Sequence, residues 1–219
     1  VTKQSQPLVE TLYTEYLDVL NRHFEHYPYL LGWKPCIGDF GLLAPMYAHL
    51  GRDPYPASLM QKRAPRVYRW VERMNRADQD VPEFFTPGTD FLDSDEIPET
   101  LMAVLRAVAE DFVPETRAAA ERINDWLGRQ QPEAGAAAVG RLGNLVGSAE
   151  FSVRGQTITA LASPYRFYLL QRVQAIYAGL PLDEQALVEQ MLQACGMRDM
   201  LAIKLDRSIG RSGNLEVWV

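Results

Sequence analysis

The chain has 219 residues, 47% of them hydrophobic, enough for one large or two small domains with a substantial core. Its 28 acidic and 22 basic side chains leave a net charge of −6, which argues against nucleic acid as the main partner. Two cysteines, Cys36 and Cys195, make no disulfide framework, and no apolar run approaches membrane-spanning length, so the expectation is a cytoplasmic protein with no membrane partner.

In chain order, Pro7 suits the first turn of a helix, and apolar residues then fall at 8, 9, 12, 13, 16, 17, 19, 20 and 24. That helix is expected to end near His26-Tyr27-Pro28. Gly32 and Pro35 punctuate the next stretch. Cys36 then stands at a helix N-cap with Asp39 three residues on, where its carboxylate can reach back to the free N–H at the cap. Phe40, Leu42, Leu43, Met46, Tyr47 and Leu50 cover most of the circumference that follows. A helix apolar nearly all round is buried, so Ile37–Leu50 is predicted as a central helix. After a Pro-rich turn, Ser58 is placed to cap a helix over 58–75, with Met60, Ala64, Val67, Trp70, Val71 and Met74 facing inward.

Residues 77–97 carry Pro82, Pro87, Gly88 and a series of acids, and read as a surface linker. Pro98 opens a helix over 98–112. Pro114 is expected to break or kink it, with a second segment running to Leu127. A Gly- and Ala-rich irregular stretch covers 128–149. Residues 150–160 alternate as a hairpin turning at Arg154-Gly155, which sets Phe151 opposite Ile158. Ser163-Pro164 starts a helix to Ala178, Leu182–Ala194 is another, and Leu215–Val219 suits a short strand. The expected fold is therefore an all-α bundle with one small hairpin: a helical core over 1–76, an acidic linker over 77–97, and a helical extension over 98–219.

Few residues read as chemistry. Cys36 at a helix N-terminus is either a thiol of lowered pKa or a packing cysteine at a corner. His23 and His26 stand three apart, but with His49 they are the only histidines and no third ligand clusters with them, so no metal site is expected. Gly140, Gly143 and Gly147 lack the Lys-Ser/Thr of a phosphate loop. Tyr165, Tyr168 and Arg172 share a helix flank that would suit an anionic or aromatic ligand, or simply packed rings. Lys62, Arg66, Arg69, Arg73 and Arg76 form one basic stripe, either an anion surface or an internally paired face. The acids of residues 77–97 are expected to fold back over it.

One resemblance adds to this reading. Tyr29-Leu30-Leu31-Gly32 followed by Pro35-Cys36-Ile37-Gly38-Asp39-Phe40 resembles the entry to a buried helix in the C-terminal domain of the glutathione transferase superfamily. Tyr47-Ala48-His49-Leu50, Arg52-Asp53-Pro54 and Ala64-Pro65-Arg66-Val67 through Met74 are similar to bacterial members with a long C-terminal extension, as are Pro164-Tyr165 and Leu170-Gln171-Arg172. The likeness covers most of the chain and is densest over residues 8–76. Two residues depart from it. Cys36 replaces a Ser or Thr hydroxyl, and Gly38 replaces Ala at a cost of roughly 1 kcal/mol in helix propensity.

The resemblance implies a helical bundle that supplies the apolar pocket for a hydrophobic electrophile. Glutathione would be the co-substrate of an intact parent, held by a thioredoxin-like domain upstream, and a homodimer is possible. No cofactor is implied. In that reading Met46, Tyr47, Tyr165 and Arg172 form the pocket wall, Cys36 and Asp39 form the structural cap, and this chain alone carries no catalytic residue and no activity. The chain opens at Val1 with a polar stretch and no βαβ unit, which fits a fragment of such a parent. The alternative is a non-catalytic binding or scaffold protein on the same helical fold.

Overall fold

The computed structural model describes residues 2–76, 81–139 and 146–219. Helix takes 57% of the chain, and the sheets among the described residues are two antiparallel hairpins, so the protein is mostly helical. Contacts divide it into two compact units, Thr2–Ala107 and Val108–Val219.

In the first unit α1 spans Gln6–His23, with Pro7 in its first turn. Its inner face sets Leu8, Leu17, Leu20 and His23 into the core, where Met60, Val67, Trp70, Val71, Leu101 and Val104 join them. Phe24 stacks on Trp70 with ring centroids 5.1 Å apart. α2 covers Ile37–Pro45. Pro45 has no N–H to continue the α register, and the chain goes on as a π-helical turn over Met46–Leu50.

The expectation of a buried central helix is corrected here. Asp39 and Met46 are buried, but Ile37 is 91% exposed and Phe40 58%. The segment is anchored on one side rather than enclosed. Apolar residues all round show only that no face is polar, not that every face has a partner.

The helix expected over 58–75 is two helices, α3 over Pro54–Arg63 and α4 over Pro65–Met74. α3 starts at Pro54, ahead of Ser58, because proline fits the first helical position. Ala64 lies between them at φ −131° and ψ 61°, since a residue before proline avoids helical geometry. Arg73 of the basic stripe is buried. It donates to the Pro28 carbonyl at 2.8 Å, lies over the Tyr29 ring, and pairs with Glu83. Glu83 also stands 3.8 Å from Arg69, and Arg66 pairs with Glu25. The stripe is thus largely an internally paired face. Glu83 brings part of the acidic stretch back onto α4, but among the described residues Lys62 takes no ion pair. Asp78 and Asp80 lie outside the described residues.

α5 runs unbroken over Glu99–Gln130, straight through Pro114, where a break or kink was expected. Interior proline costs about 3 kcal/mol. Burial on either side offsets it: Val113, Thr116, Ala119, Ala120 and Ile123 are all in the core, and Thr116 Oγ1 donates back to the Phe112 carbonyl at 2.7 Å.

The second unit holds the rest of α5, the hairpin β1 (Ser148–Val153) and β2 (Gln156–Leu161), α6 (Pro164–Ala178), α7 (Leu182–Ala194), and a second hairpin, β3 (Ile209–Ser212) with β4 (Leu215–Trp218). Phe151 faces Ile158 as the alternation predicted. Arg154 and Gly155 both have positive φ, the backbone of a type I′ turn. Arg154 reaches α5 with two bonds to Glu110. The expected tail strand pairs with β3, which the sequence reading did not include. Trp218 packs near Trp126 over a core of Ile123, Leu127, Phe167 and Ile209. Gly140 and Gly143 lie outside the described residues.

His23 yields a pH prediction. Its ring bonds the Thr100 hydroxyl at 2.9 Å and the Tyr29 carbonyl at 3.2 Å, so Nε2 carries the proton and Nδ1 accepts. Burial holds its pKa below the ordinary 6.5. Below that value the unfolded chain takes up the proton first, so folding stability falls as pH falls. The melting temperature should drop between pH 7 and pH 5, and His23→Gln should flatten that slope. The carboxylates whose pKa values are lowered, Asp18, Asp90, Glu99 and Glu189, lose their contribution only in more acid solution.

Candidate functional site

The corner between the first unit's Tyr29–Gly32 loop and α2 is built on one carboxylate. Asp39 is fully buried and accepts three N–H bonds: from Cys36 N at 2.9 Å, Leu30 N at 3.2 Å and the Trp70 indole at 3.0 Å. The Cys36 bond is the expected reciprocal cap. The other half of the box is weak, because the Asp39 N–H meets a sulfur instead of a hydroxyl. Gly38 also has a packing reason: a Cβ there would stand 3.1 Å from Leu30 Cδ1 and 3.4 Å from the Cys36 sulfur.

Gly32 turns the loop at φ +107°, a conformation that suits glycine. The backbone then runs antiparallel to the acidic stretch. Trp33 N donates to Asp90 O and Leu92 N donates to Leu31 O, each at 3.0 Å. Residues 90–92 are therefore pinned to the corner.

Between these strands and the start of α2 lies a mostly apolar pocket of about 330 Å³. Leu31, Phe91, Leu92 and Ile97 line it together with Cys36, Asp95 and Glu96. The size suits a small, largely apolar molecule. Burial pushes the Cys36 thiol pKa up, and the nearby Asp39 carboxylate adds to the effect. The thiol is therefore protonated at neutral pH, and Cys36 lines the pocket in that form. The acidic composition of residues 77–97 hid Phe91, Leu92 and Ile97. The only sequence signal for them was three large apolar residues among the acids.

The four residues expected to form the pocket wall lie elsewhere. Met46 is 1% exposed and sits in the core. Tyr47 is half-buried, and its hydroxyl accepts from Arg52 at 2.7 Å while the guanidinium lies over its ring. Tyr165 and Arg172 are exposed on α6, in the second unit, with Arg172 over the Tyr168 ring. They share one flank of the helix, as the spacing predicted. The two pairs belong to different units.

His23 is spent in hydrogen bonds, and His26 and His49 are exposed. Among the described residues no group of three or more His, Cys, Asp or Glu could hold a metal ion. Among them, too, no helix is long and apolar enough to cross a membrane. No family model matches the chain, and no curated protein or solved structure matches it.

The thiol assignment is checked by alkylation. At pH 7 Cys36 should react with iodoacetamide at least several-fold more slowly than free cysteine, with the rate rising only in alkaline solution. Peptide mass spectrometry separates it from buried Cys195. A rate above that of free cysteine would restore the thiolate.

Proposed function

We propose that this chain is the helical part of a glutathione transferase-like protein, and that it contributes an apolar binding pocket rather than the chemistry. The observation that carries this reading is the pocket of Leu31, Phe91, Leu92 and Ile97, built on the Asp39-capped corner that the resemblance singled out. The protonated state of Cys36 supports binding without nucleophilic attack.

In this reading the occupant is a hydrophobic electrophile. Its partner thiol is that of glutathione, held by a thioredoxin-like domain upstream. Transfer would be attack of that thiolate on the electrophile, with the leaving group departing from the electrophilic carbon. The pocket contributes uniform binding, which lowers KM without speeding the chemical step. The only sheets among the described residues are two-stranded and antiparallel, so they offer no parallel unit to hold the tripeptide. A homodimer belongs to the same reading.

The test is a titration of this chain with 1,3-dinitrobenzene, an unreactive analogue of aromatic electrophiles, followed by ligand-observed NMR. Saturable binding is expected, weakened at least tenfold by Ile97→Trp, which fills the pocket. Glutathione should not bind, and 1-chloro-2,4-dinitrobenzene with glutathione should not turn over above the uncatalysed rate. Binding indifferent to Ile97→Trp would sink the pocket assignment, and turnover by this chain would make it an enzyme in its own right.

A further inference from the structure

α6 is apolar on two opposite faces. On one, Phe167 is buried in the core of the second unit, with Leu170 packed against that core. At 100° per residue the opposite face carries Tyr165, Leu169, Val173 and Ile176. All four are open to solvent, from 44% exposed at Tyr165 and Leu169 to 70% at Ile176. Single exposed apolar residues are ordinary, but these follow one another along three turns of one helix. Arg172 stands among them, its guanidinium over the Tyr168 ring. Among the described residues no carboxylate forms an ion pair with it.

The spacing selects the kind of partner. Tyr165, Leu169, Arg172 and Ile176 stand 4, 3 and 4 residues apart, the alternation by which one helix packs along another. The seam is about 16 Å long at 1.5 Å per residue. Its complement is a second helix of similar length.

Charge and area select a second copy of this chain. At a net charge of −6, two copies repel one another unless they meet where acids are absent. α6 contains no Asp or Glu in its whole length, Pro164–Ala178. An antiparallel pair of α6 helices also sets the positive end of each beside the negative end of the other. About a two-fold axis between Leu169 and Arg172, Tyr165 meets Ile176 of the second copy at both ends of the seam. Leu169 then lies beside the aliphatic stem of Arg172. The four apolar side chains expose on the order of 400 Å². Leu161, just before α6 and 52% exposed, and Leu182, just after it and 83% exposed, flank the helix at its two ends. They bring the apolar area to roughly 700 Å², close to the ~800 Å² that each partner buries in a standard interface.

We propose that this face of α6 is a homodimer interface, packed antiparallel on α6 of a second copy. The two Arg172 side chains then approach one another near the axis, which fixes the register at a cost in affinity. This gives the homodimer of the preceding reading a surface in the second unit. It stands without the first unit's pocket, which Ile97→Trp tests separately.

The experiment is sedimentation velocity of the whole chain across a concentration series. At tens of micromolar the species should have twice the 24.8 kDa mass of the chain. Ile176→Glu should weaken association at least tenfold. Arg172→Leu should tighten it several-fold, as should added salt in the parent chain. Circular dichroism and a cooperative melt establish that each variant is folded. In a Tyr165→Cys, Ile176→Cys double variant, oxidation should link position 165 of one copy to position 176 of the other, read by peptide mass spectrometry. A chain that stays monomeric throughout the series, or a dimer untouched by Ile176→Glu, would overturn the assignment. So would cross-links joining 165 only to 165, which make the pair parallel. A monomer that instead pellets with phosphatidylcholine vesicles, and loses this with Ile176→Glu, would give the face to a lipid surface and overturn the dimer.

Discussion

The first unit depends on the burial of one carboxylate. Placing a carboxylate in a protein core costs several kcal/mol unless its charge is met. Among the described residues Asp39 has no cation in an ion pair with it. Its charge is met by three N–H donors and by the positive end of α2, and charge-assisted bonds of this kind are the strong ones. The donors come from three places in the chain: the loop at Leu30, the cap at Cys36 and the indole of Trp70 on α4. One side chain therefore fixes the entry angle of α2, the position of the loop, and the rotamer of the largest residue in the core.

The consequences run outward from there. Trp70, held by its indole N–H, stacks on Phe24, and His23 beside it bonds Tyr29 and Thr100. This links α1 and the start of α5 to the same corner. On the other side, the loop fixed at Leu30 presents Leu31 and Gly32 to residues 90–92, and that pairing makes the walls of the apolar pocket. The pocket exists because a stretch rich in acids, hence soluble by itself, is tied down by backbone bonds to a rigid corner.

Much of this was legible in the sequence, in the places where the signal is local. A turn that needs two positive φ angles announces itself as Arg154-Gly155 and fixes the partners of a whole hairpin. Ser163-Pro164 and the later Gly196 bracket α6 and α7 for similarly local reasons. Asp39 was legible as a cap because a cap is a matter of three residues. Its other two donors were not, since Trp70 lies 31 residues away. The prolines show the same division. Pro65 splits a helix because the residue before it has nowhere else to go, whereas Pro114 is carried through by core packing that no local pattern displays. Hydrophobicity placed α2 in the interior, but Ile37 and Phe40 stay uncovered, because composition describes a face and not its partner. On α6 both faces are apolar. The spacing of Tyr165 and Arg172 was right, and the buried face, which holds Phe167, is the opposite one.

The account stands or falls on the coupling between Asp39 and Trp70. The direct measurement is a double-mutant cycle of Asp39→Ala and Trp70→Phe, with each variant unfolded in urea. If the carboxylate holds the indole as described, Asp39→Ala alone should cost roughly 1–3 kcal/mol, and the two substitutions together should cost about 1 kcal/mol less than their sum. Strict additivity, or an Asp39→Ala variant as stable as the parent, would show that this corner does not organise the fold.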